Sequence, residues 1–298
     1  MSSDFDNSSR ASRSGSAQLH QGRATHIFVA TICLITLIAG PAQAQHRLFP
    51  DAPSFELPLA DPRVTSLTGR LLSVSRGDSR FGAGHEAEAA IGESVPVIAL
   101  RRGPRWITLG FGAAVYGRFD LDDPKSAQIS DDWTVGVDLS AVLRAWTLSL
   151  QVEHESSHLG DEYHDTFGVP RLDWTRETAT AWVGWHTGPL VLHGALSYVL
   201  VDQLGLRRAG AAAAADFRGN SGRLLGQAMR PIAGVFIRGE ADTDWRLSAD
   251  AKAGIALLGA RADRELRLSL IAHRGLSTQR QFYRETSHYI GLEIQFEI

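Results

Sequence analysis

Long stretches of the chain alternate between apolar and polar or small residues. From Trp245 to Leu257 every second residue is apolar, while Arg246, Asp250 and Lys252 are among the residues between them. The same period of two recurs in the last segment of the sequence and in several segments before it. In a β-strand, successive side chains point to opposite faces. The pattern therefore predicts strands that have one apolar and one polar face.

The length and spacing of these segments favour a membrane barrel. Each is about 10–14 residues long, which is the length that a tilted transmembrane strand needs. Tight turns alternate with longer polar connections. We therefore predict an all-β fold, an antiparallel transmembrane β-barrel of about twelve strands, with 10 or 14 as the alternative counts. The predicted strands cover residues 64–74, 86–101, 105–118, 132–143, 146–158, 174–187, 189–201, 206–217, 223–239, 244–258, 263–274 and 286–298. For the alanine run at 211–215, a short helix in an outer loop is the alternative to the eighth strand.

Aromatic and charged positions fit the two faces of such a barrel. Tryptophans near strand ends suggest an interfacial girdle; they are Trp106, Trp133, Trp146, Trp174, Trp185 and Trp245. The opposite rows carry charges of both signs and histidines, which predicts a packed lumen rather than a wide pore. These residues are Arg118, Asp138, His193, Arg246, Asp250, Lys252, Arg267, His273 and Glu293. A soluble periplasmic β-protein is the alternative, and it requires another element to bury the apolar rows.

The N-terminal region divides into two segments that precede the barrel. Residues 1–44 are predicted to be a cleaved signal peptide, because a basic region, an apolar run and a small-x-small cleavage site at Ala42–Ala44 follow one another. The apolar run of about 13 residues is too short to span roughly 30 Å of hydrocarbon. Residues 45–63 are rich in proline and are predicted to be an ordered periplasmic N-terminal segment. Residues 64–298 are predicted to form the outer-membrane barrel.

Composition narrows the possible partners. Net charge is −3 over 298 residues and there is no basic tract, so we expect no nucleic-acid partner. The only cysteine, Cys33, lies in the predicted signal peptide. No cofactor and no metal ion are predicted. The expected partners are outer-membrane lipid, lipopolysaccharide among them, and the barrel-insertion machinery during biogenesis. The predicted location is the outer membrane of a Gram-negative bacterium.

One cluster suggests chemistry. His154 and Ser156 continue the apolar row of the fifth predicted strand towards its outer end. A histidine and a serine on one face are the minimum for a base-activated hydroxyl nucleophile. A carboxylate must orient the histidine, and Glu177 on the next strand is the candidate. Loop carboxylates, Asp161, Glu162 and Asp165, are the alternatives.

Two other interpretations apply to the same region. Ser157, His158, Asp161 and Glu162 also fit a hydrogen-bond cluster that anchors an outer loop. A metal site is the third interpretation, although the ligand spacing matches no standard zinc or calcium site. Its ligands would be His154, His158, Asp161, Glu162 and His164.

Three segments resemble the domain-of-unknown-function family 1207. They are HESSHLGDEY at 154–163, LFPDAPSFELPLADPR at 48–63, and GLSTQRQFYRE at 275–285 before a closing YIGLEIQF. The resemblance covers nearly all of the chain after residue 44 and implies an outer-membrane barrel, without an activity. Separately, His154-x-Ser156 is similar to the H-x-S motif of outer-membrane lipid A deacylases. That similarity implies that His154 is the base, Ser156 the nucleophile and Glu177 the acid.

These observations predict the architecture more fully than the activity. We expect an outer-membrane barrel of undefined biochemical role, non-enzymatic or structural. The alternatives are a lipid-facing serine esterase of the lipid A deacylase type that uses His154 and Ser156, and a narrow channel.

Overall fold

The structure is a computed structural model that describes residues 45–76, 84–224, 226–259 and 264–297. Within these ranges, no helix is both long and apolar enough to cross a membrane. The strands are β1 (Gln45–Leu48), β2 (Leu67–Arg76), β3 (Gly84–Arg102), β4 (Arg105–Asp120), β5 (Gln128–Leu143), β6 (Trp146–Leu159), β7 (Trp174–Thr187), β8 (Leu190–Asp202), β9 (Ala209–Arg218), β10 (Gly222–Leu224), β11 (Gln227–Glu240), β12 (Ser248–Leu258), β13 (Glu265–Leu276) and β14 (Thr286–Glu297). The helices are α1 (Asp161–Phe167) and two single 3₁₀ turns, Ala241–Thr243 and Arg280–Phe282. The predicted signal peptide, residues 1–44, lies outside the described residues.

Twelve long strands, β2 to β9 and β11 to β14, form a closed antiparallel barrel. Each pairs with the next along the chain, β9 pairs with β11, and β14 returns to pair with β2. Closure gives each of these twelve strands a hydrogen-bonded neighbour on both sides, as a strand in a hydrocarbon environment needs. The predicted all-β barrel of about twelve strands is confirmed. The alanine run at 211–215 lies in β9, so the alternative of a short helix is wrong.

The outer wall of the barrel is apolar and its inner wall is polar. On β13, Leu270 is 66% exposed while its neighbour Ser269 is buried; on β14, Leu292 is 59% exposed while Glu293 is buried. A soluble protein does not expose large apolar side chains in continuous rows around its surface. The outward rows therefore form the lipid-contacting belt of a membrane barrel.

The two ends of the barrel differ in their connections. At one end the strands are joined by tight turns, and Gly103 and Gly188 adopt φ of 60° and 59° in the β3–β4 and β7–β8 turns. Such left-handed backbone favours glycine. The opposite end carries the longer connections, including α1 between β6 and β7. Outer-membrane barrels place short turns in the periplasm and long loops outside, so the α1 end is the outer end.

Residues 50–66, which we call the inner segment, run through the lumen. The Phe55 ring packs 5.7 Å from the Trp182 ring on β7. The Leu59 backbone N–H donates to the Asp216 carboxylate on β9 at 3.0 and 3.2 Å. On the opposite side of the wall, the Thr108 hydroxyl on β4 donates to the Pro53 carbonyl at 3.1 Å. The segment therefore joins opposite parts of the wall and fills much of the barrel. A cavity of about 790 Å³ remains beside it.

Ion pairs line the lumen around the inner segment. The Arg118 guanidinium binds Glu86 at 2.8 Å and Glu88 at 2.9 Å. Across the lumen, Lys252 binds Glu293 at 2.7 Å. Buried charges need partners of opposite sign because burial removes their hydration. The expected packed interior with charges of both signs is therefore present.

Trp174 and Arg246 depart from the sequence prediction. Trp174 is not part of an outer girdle; it is buried and faces the lumen, because it lies an odd number of residues from the outward-facing Trp185. Arg246 does not face the lumen; it is exposed in the loop before β12. The reason is local, since Asp244 and Trp245 adopt φ of 54° and 59° and delay the start of the strand.

Candidate functional site on the outer wall

Strand β6 carries the candidate residues on its outward row. Leu148 and Leu150 are 42% and 44% exposed on the outer wall, and Ser149 between them is buried in the lumen. Steps of two along the strand bring His154 and Ser156 to the same outer wall. The alternation that produces the apolar belt therefore also places both residues towards lipid, near the outer end of the strand.

His154 has a carboxylate neighbour on the next strand. It lies directly opposite Glu177 in the β6–β7 register. The distance from His154 Nδ1 to Glu177 Oε1 is 3.7 Å, and both side chains are 43% exposed. This is an ion-pair distance and too long for a hydrogen bond. This contact directs Nδ1 of His154 towards the Glu177 carboxylate. Nε2 is then the ring nitrogen that remains for proton transfer.

Ser156 lies one outward position beyond His154. Two residues along a strand correspond to about 7 Å between Cα atoms. No hydrogen bond joins the two side chains in the described part of the chain, so proton transfer between them needs rotation of at least one side chain. Catalytic hydrogen bonds are often long in structures without substrate. Ser156 is flanked in register by Trp133 on β5 and Thr175 on β7.

Trp133 marks the depth of the site in the membrane. Its side chain is 53% exposed on the outer wall, and its indole N–H donates to the Asp131 carboxylate at 2.5 Å. Tryptophan rings prefer the interface between hydrocarbon and headgroups. At the other end of the belt, Trp146 and Trp185 stack with ring centroids 6.1 Å apart. Ser156, beside Trp133, therefore lies at the outer boundary of the hydrocarbon region.

The inward residue between His154 and Ser156 is Glu155, and two arginines bind it. Arg63 of the inner segment donates to Glu155 Oε1 at 2.8 Å. Arg280, in the 3₁₀ turn between β13 and β14, donates to both carboxylate oxygens at 3.0 and 2.9 Å. Burial opposes the charge of Arg280, but Glu155 and Glu240 outweigh it and hold the pKa of Arg280 well above its usual value.

Sequence reasoning missed this cluster behind the site. The charge of Glu155 in an inward row was a visible signal, since an inward charge in a packed barrel needs a partner. Its partners come from segments 92 and 125 residues away in the chain. No local pattern identifies pairs at that separation.

The remaining residues of the predicted cluster are not brought together. Ser157 faces the lumen and is buried, with its carbonyl accepting from Gln281 Nε2 at 2.8 Å. His158 is exposed on the outer wall. Asp161 and Glu162 lie in the first turn of α1, outside the barrel.

A metal site finds no support in this region. Across the described ranges, no group of three or more His, Cys, Asp or Glu side chains is arranged to hold a metal ion. His164 directs Nδ1 to the Val169 carbonyl at 2.8 Å, and Asp161 pairs with Arg171. Two of the candidate ligands, His164 and Asp161, are therefore already engaged by other residues of the β6–β7 loop.

Solved structures of outer-membrane barrels share this fold. Outer membrane phospholipase A from Escherichia coli aligns with a TM-score of 0.53 and 12% identity, over 83% of this chain and 94% of that chain. The calcium-bound outer membrane phospholipase dimer of Salmonella typhi gives 0.52 and 10%, over 83% and 94%. LpxR from Salmonella typhimurium gives 0.38 and 13%, over 78% and 100%. With its closed barrel and apolar belt, the protein is an outer-membrane β-barrel of the Gram-negative type.

The family is also established. The chain belongs to the family described as Protein of unknown function (DUF1207), whose profile matches residues 29–298. No curated protein sequence matches it. The resemblance found in the sequence segments is thereby confirmed, and the family assigns no activity.

Proposed function

We propose that this barrel is a lipid-facing serine hydrolase that cleaves acyl esters of outer-leaflet lipids. The observation that carries the proposal is the 3.7 Å approach of His154 Nδ1 to Glu177 Oε1 on the outer wall, with Ser156 on the same face. Nucleophile, base and orienting acid are then Ser156, His154 and Glu177, as in other base-activated hydroxyl enzymes.

The chemistry follows from these three roles. Rotation of the Ser156 side chain brings Oγ to Nε2 of His154, which takes its proton as Oγ attacks the ester carbonyl. The tetrahedral intermediate collapses, the C–O bond to the alcohol breaks, and the imidazolium donates the proton to the leaving oxygen. A water molecule then hydrolyses the acyl-serine by the same route, which releases a fatty acid and restores Ser156. Glu177 stabilises the imidazolium through Nδ1. Thr175, the cross-strand neighbour of Ser156, is the candidate hydroxyl donor to the developing oxyanion.

The depth of the site supports a lipid substrate. Trp133 beside Ser156 lies at the level where glycerol and sugar esters of membrane lipids are found. Leu148 and Leu150 continue the same outward row into the hydrocarbon region. An acyl chain that follows this row would place its ester carbonyl at the outer boundary, beside Ser156. A neighbour of this fold is named a phospholipase, which is compatible with ester chemistry on a barrel wall; the likeness itself concerns the fold.

The contents of the lumen favour this proposal over a narrow channel. The inner segment crosses the barrel, and ion pairs such as those of Arg63 with Asp132 and Glu155 join it to the wall. An ion path through the lumen would require displacement of these contacts. A non-enzymatic barrel is the remaining alternative, and the experiment below distinguishes it.

The test is mass spectrometry of lipids from outer membranes of cells that express the intact protein, Ser156→Ala or Ser157→Ala. Ser157 is the matched control because it is the next residue but faces the lumen. We expect lipid A or phospholipid lacking one acyl chain, with free fatty acid, for the intact protein and for Ser157→Ala. We expect no such product for Ser156→Ala. Identical lipid profiles for all three proteins would exclude the hydrolase proposal and favour a non-enzymatic barrel.

A further inference from the structure

A group of arginines at the outer rim lacks carboxylate partners. Arg246 precedes β12, Arg274 is near the outer end of β13, and Arg284 precedes β14; all three are exposed. In the described part of the chain none of them forms an ion pair, although Glu285 lies in the same loop as Arg284. Several lumenal arginines are paired, as Arg118 is with Glu86 and Glu88. The rim therefore presents concentrated positive charge to the surroundings.

These side chains lie together on the outer wall. The Arg246 guanidinium donates to the Arg284 carbonyl at 3.4 Å and to Thr286 Oγ1 at 3.3 Å. Arg246 therefore crosses from the β11–β12 loop to the start of β14. Arg274 lies opposite His288 in the β13–β14 register, one outward position below Thr286. Neighbouring outward positions of this kind are about 7 Å apart. We call Arg246, Arg274 and Arg284 the rim arginines.

A groove lies on the outer wall directly below the rim arginines. It has a volume of about 980 Å³ within the apolar belt, and its lining extends from β9 across β11 to β14 and on to β2. Its floor consists of small outward residues on neighbouring strands, and larger apolar side chains stand beside them. The floor includes Ala233, Ala251, Ala253 and Ala272, and the sides include Leu270 and Ile290.

The groove and the rim arginines are continuous. Ala272, in the groove, is two residues below Arg274 on the outward row of β13. Ala251 is paired in register with Ala272. One molecule with an anionic head and an apolar tail would thus contact both features at once. Because the rim is at the outer end, that molecule belongs to the outer leaflet.

We propose that this surface binds a phosphorylated, acylated glycolipid of the outer leaflet, the lipid A part of lipopolysaccharide. Its phosphates contact Arg246 and Arg274, and an acyl chain lies in the alanine-floored groove. Charge complementarity supports this assignment. The planar guanidinium group of arginine matches the geometry of phosphate oxygens, and here arginines without carboxylate partners lie directly above an apolar groove. The site is on β12–β14, and it is separate from His154 and Ser156 on β6, so it does not depend on the proposed hydrolase.

The test compares binding of lipid A by the purified barrel in detergent, measured by native mass spectrometry and titration. The ligands are bisphosphorylated lipid A, dephosphorylated lipid A with the same acyl chains, and phosphatidylglycerol. The variants are Arg246→Gln with Arg274→Gln, the charge-retaining pair Arg246→Lys with Arg274→Lys, and Arg171→Gln. Arg171 is the matched control, an outer-end arginine that is already paired, with Asp161. Heat-modifiable gel migration verifies that each variant is folded.

We expect the intact protein and Arg171→Gln to bind bisphosphorylated lipid A at least about tenfold more tightly than the dephosphorylated form, since hydrogen bonds between a guanidinium and a phosphate are charge-assisted on both sides. The glutamine pair loses this preference and the lysine pair retains part of it. Equal binding of both forms of lipid A by the intact protein, or unchanged binding by the glutamine pair, overturns the proposal. Equally tight binding of phosphatidylglycerol overturns the assignment to lipid A.

The groove is tested by Ala272→Trp, which fills its floor. We expect weaker binding of lipid A with an unchanged molecular mass of the protein–detergent complex. If the variant instead binds lipid A normally but converts a dimer to a monomer, the groove is an interface between two copies of this chain and the proposal is wrong.

Discussion

Replacing Glu155 with glutamine tests the cluster that supports the candidate site from inside the barrel. Glu155 binds Arg63 of the inner segment and Arg280 of an outer loop. The substitution keeps the shape of the side chain but removes its charge, and it places an amide donor against two guanidinium groups. Both arginines then lose a partner in a place where water does not replace it.

The structure sets the expected magnitude. The Glu155 side chain is 8% exposed, so solvent screening reduces the interaction little. Loss of one partner of a buried ion pair costs about 3–5 kcal/mol when the other charge is left alone. Here Arg63 keeps Asp132 at 2.8 Å and Arg280 keeps Glu240 at 3.3 Å. We therefore expect a loss of about 2–4 kcal/mol in the free energy of unfolding.

The assay is urea unfolding of the barrel refolded into lipid vesicles, followed by tryptophan fluorescence. Glu153→Gln is the matched control, because Glu153 is on the same inward row of β6 but forms no ion pair within the described ranges. We expect no loss of stability for Glu153→Gln, because this carboxylate has no cationic partner and lies beside the charge of Glu155. Equal losses for both variants, or no loss for Glu155→Gln, would refute the reasoning.

Three further predictions follow from the wall, the site and the inner segment. Leu270→Arg places a charge in the apolar belt and should lower the free energy of unfolding in vesicles by about 2–4 kcal/mol, whereas no loss in vesicles would argue against a lipid-facing position. Glu177→Gln should lower kcat for ester cleavage about 10- to 100-fold with little change in KM, because it removes the charge that stabilises the His154 imidazolium; a change in KM alone would contradict that role. Burial raises the pKa of Asp61, so its ionisation costs stability as pH rises above about 3.9, the unfolded value. Hydrogen exchange in residues 50–63 should therefore slow as pH falls through the raised pKa towards about 3.9, after correction for the intrinsic rate, and Asp61→Asn should abolish the dependence; the same slowing in Asp61→Asn would assign it to another group.

Much of the fold is readable from the sequence because the signal is local. A period of two reports the two faces of a strand directly, and the long polar connections report the outer end. The period does not resolve β9, where alanines occupy both faces; the requirement for an even number of strands favoured it. The same local parity places His154 and Ser156 on one face. Trp174 was assigned wrongly because the prediction used its nearness to a strand end. Its odd spacing from the outward-facing Trp185 on the same strand indicates the lumen face.

The contacts that complete the lumen were not predictable in this way. The inner segment occupies the barrel through single contacts, such as the one from Leu59 to Asp216, 157 residues apart. The assignment of Arg246 to the lumen failed because two residues with positive φ shift the start of β12. Such turns depend on tertiary contacts more than on sequence period.

The central claim is that Ser156 is an activated nucleophile on the outer wall, and covalent labelling tests it most directly. The refolded barrel, its His154→Ala variant and its Ser157→Ala variant are treated with a fluorophosphonate, which bonds to an activated serine Oγ with loss of fluoride. Peptide mass spectrometry then locates the adduct. We predict an adduct on Ser156 in the intact protein and in Ser157→Ala, and none in His154→Ala. No adduct on Ser156, or equal labelling without His154, would contradict the account.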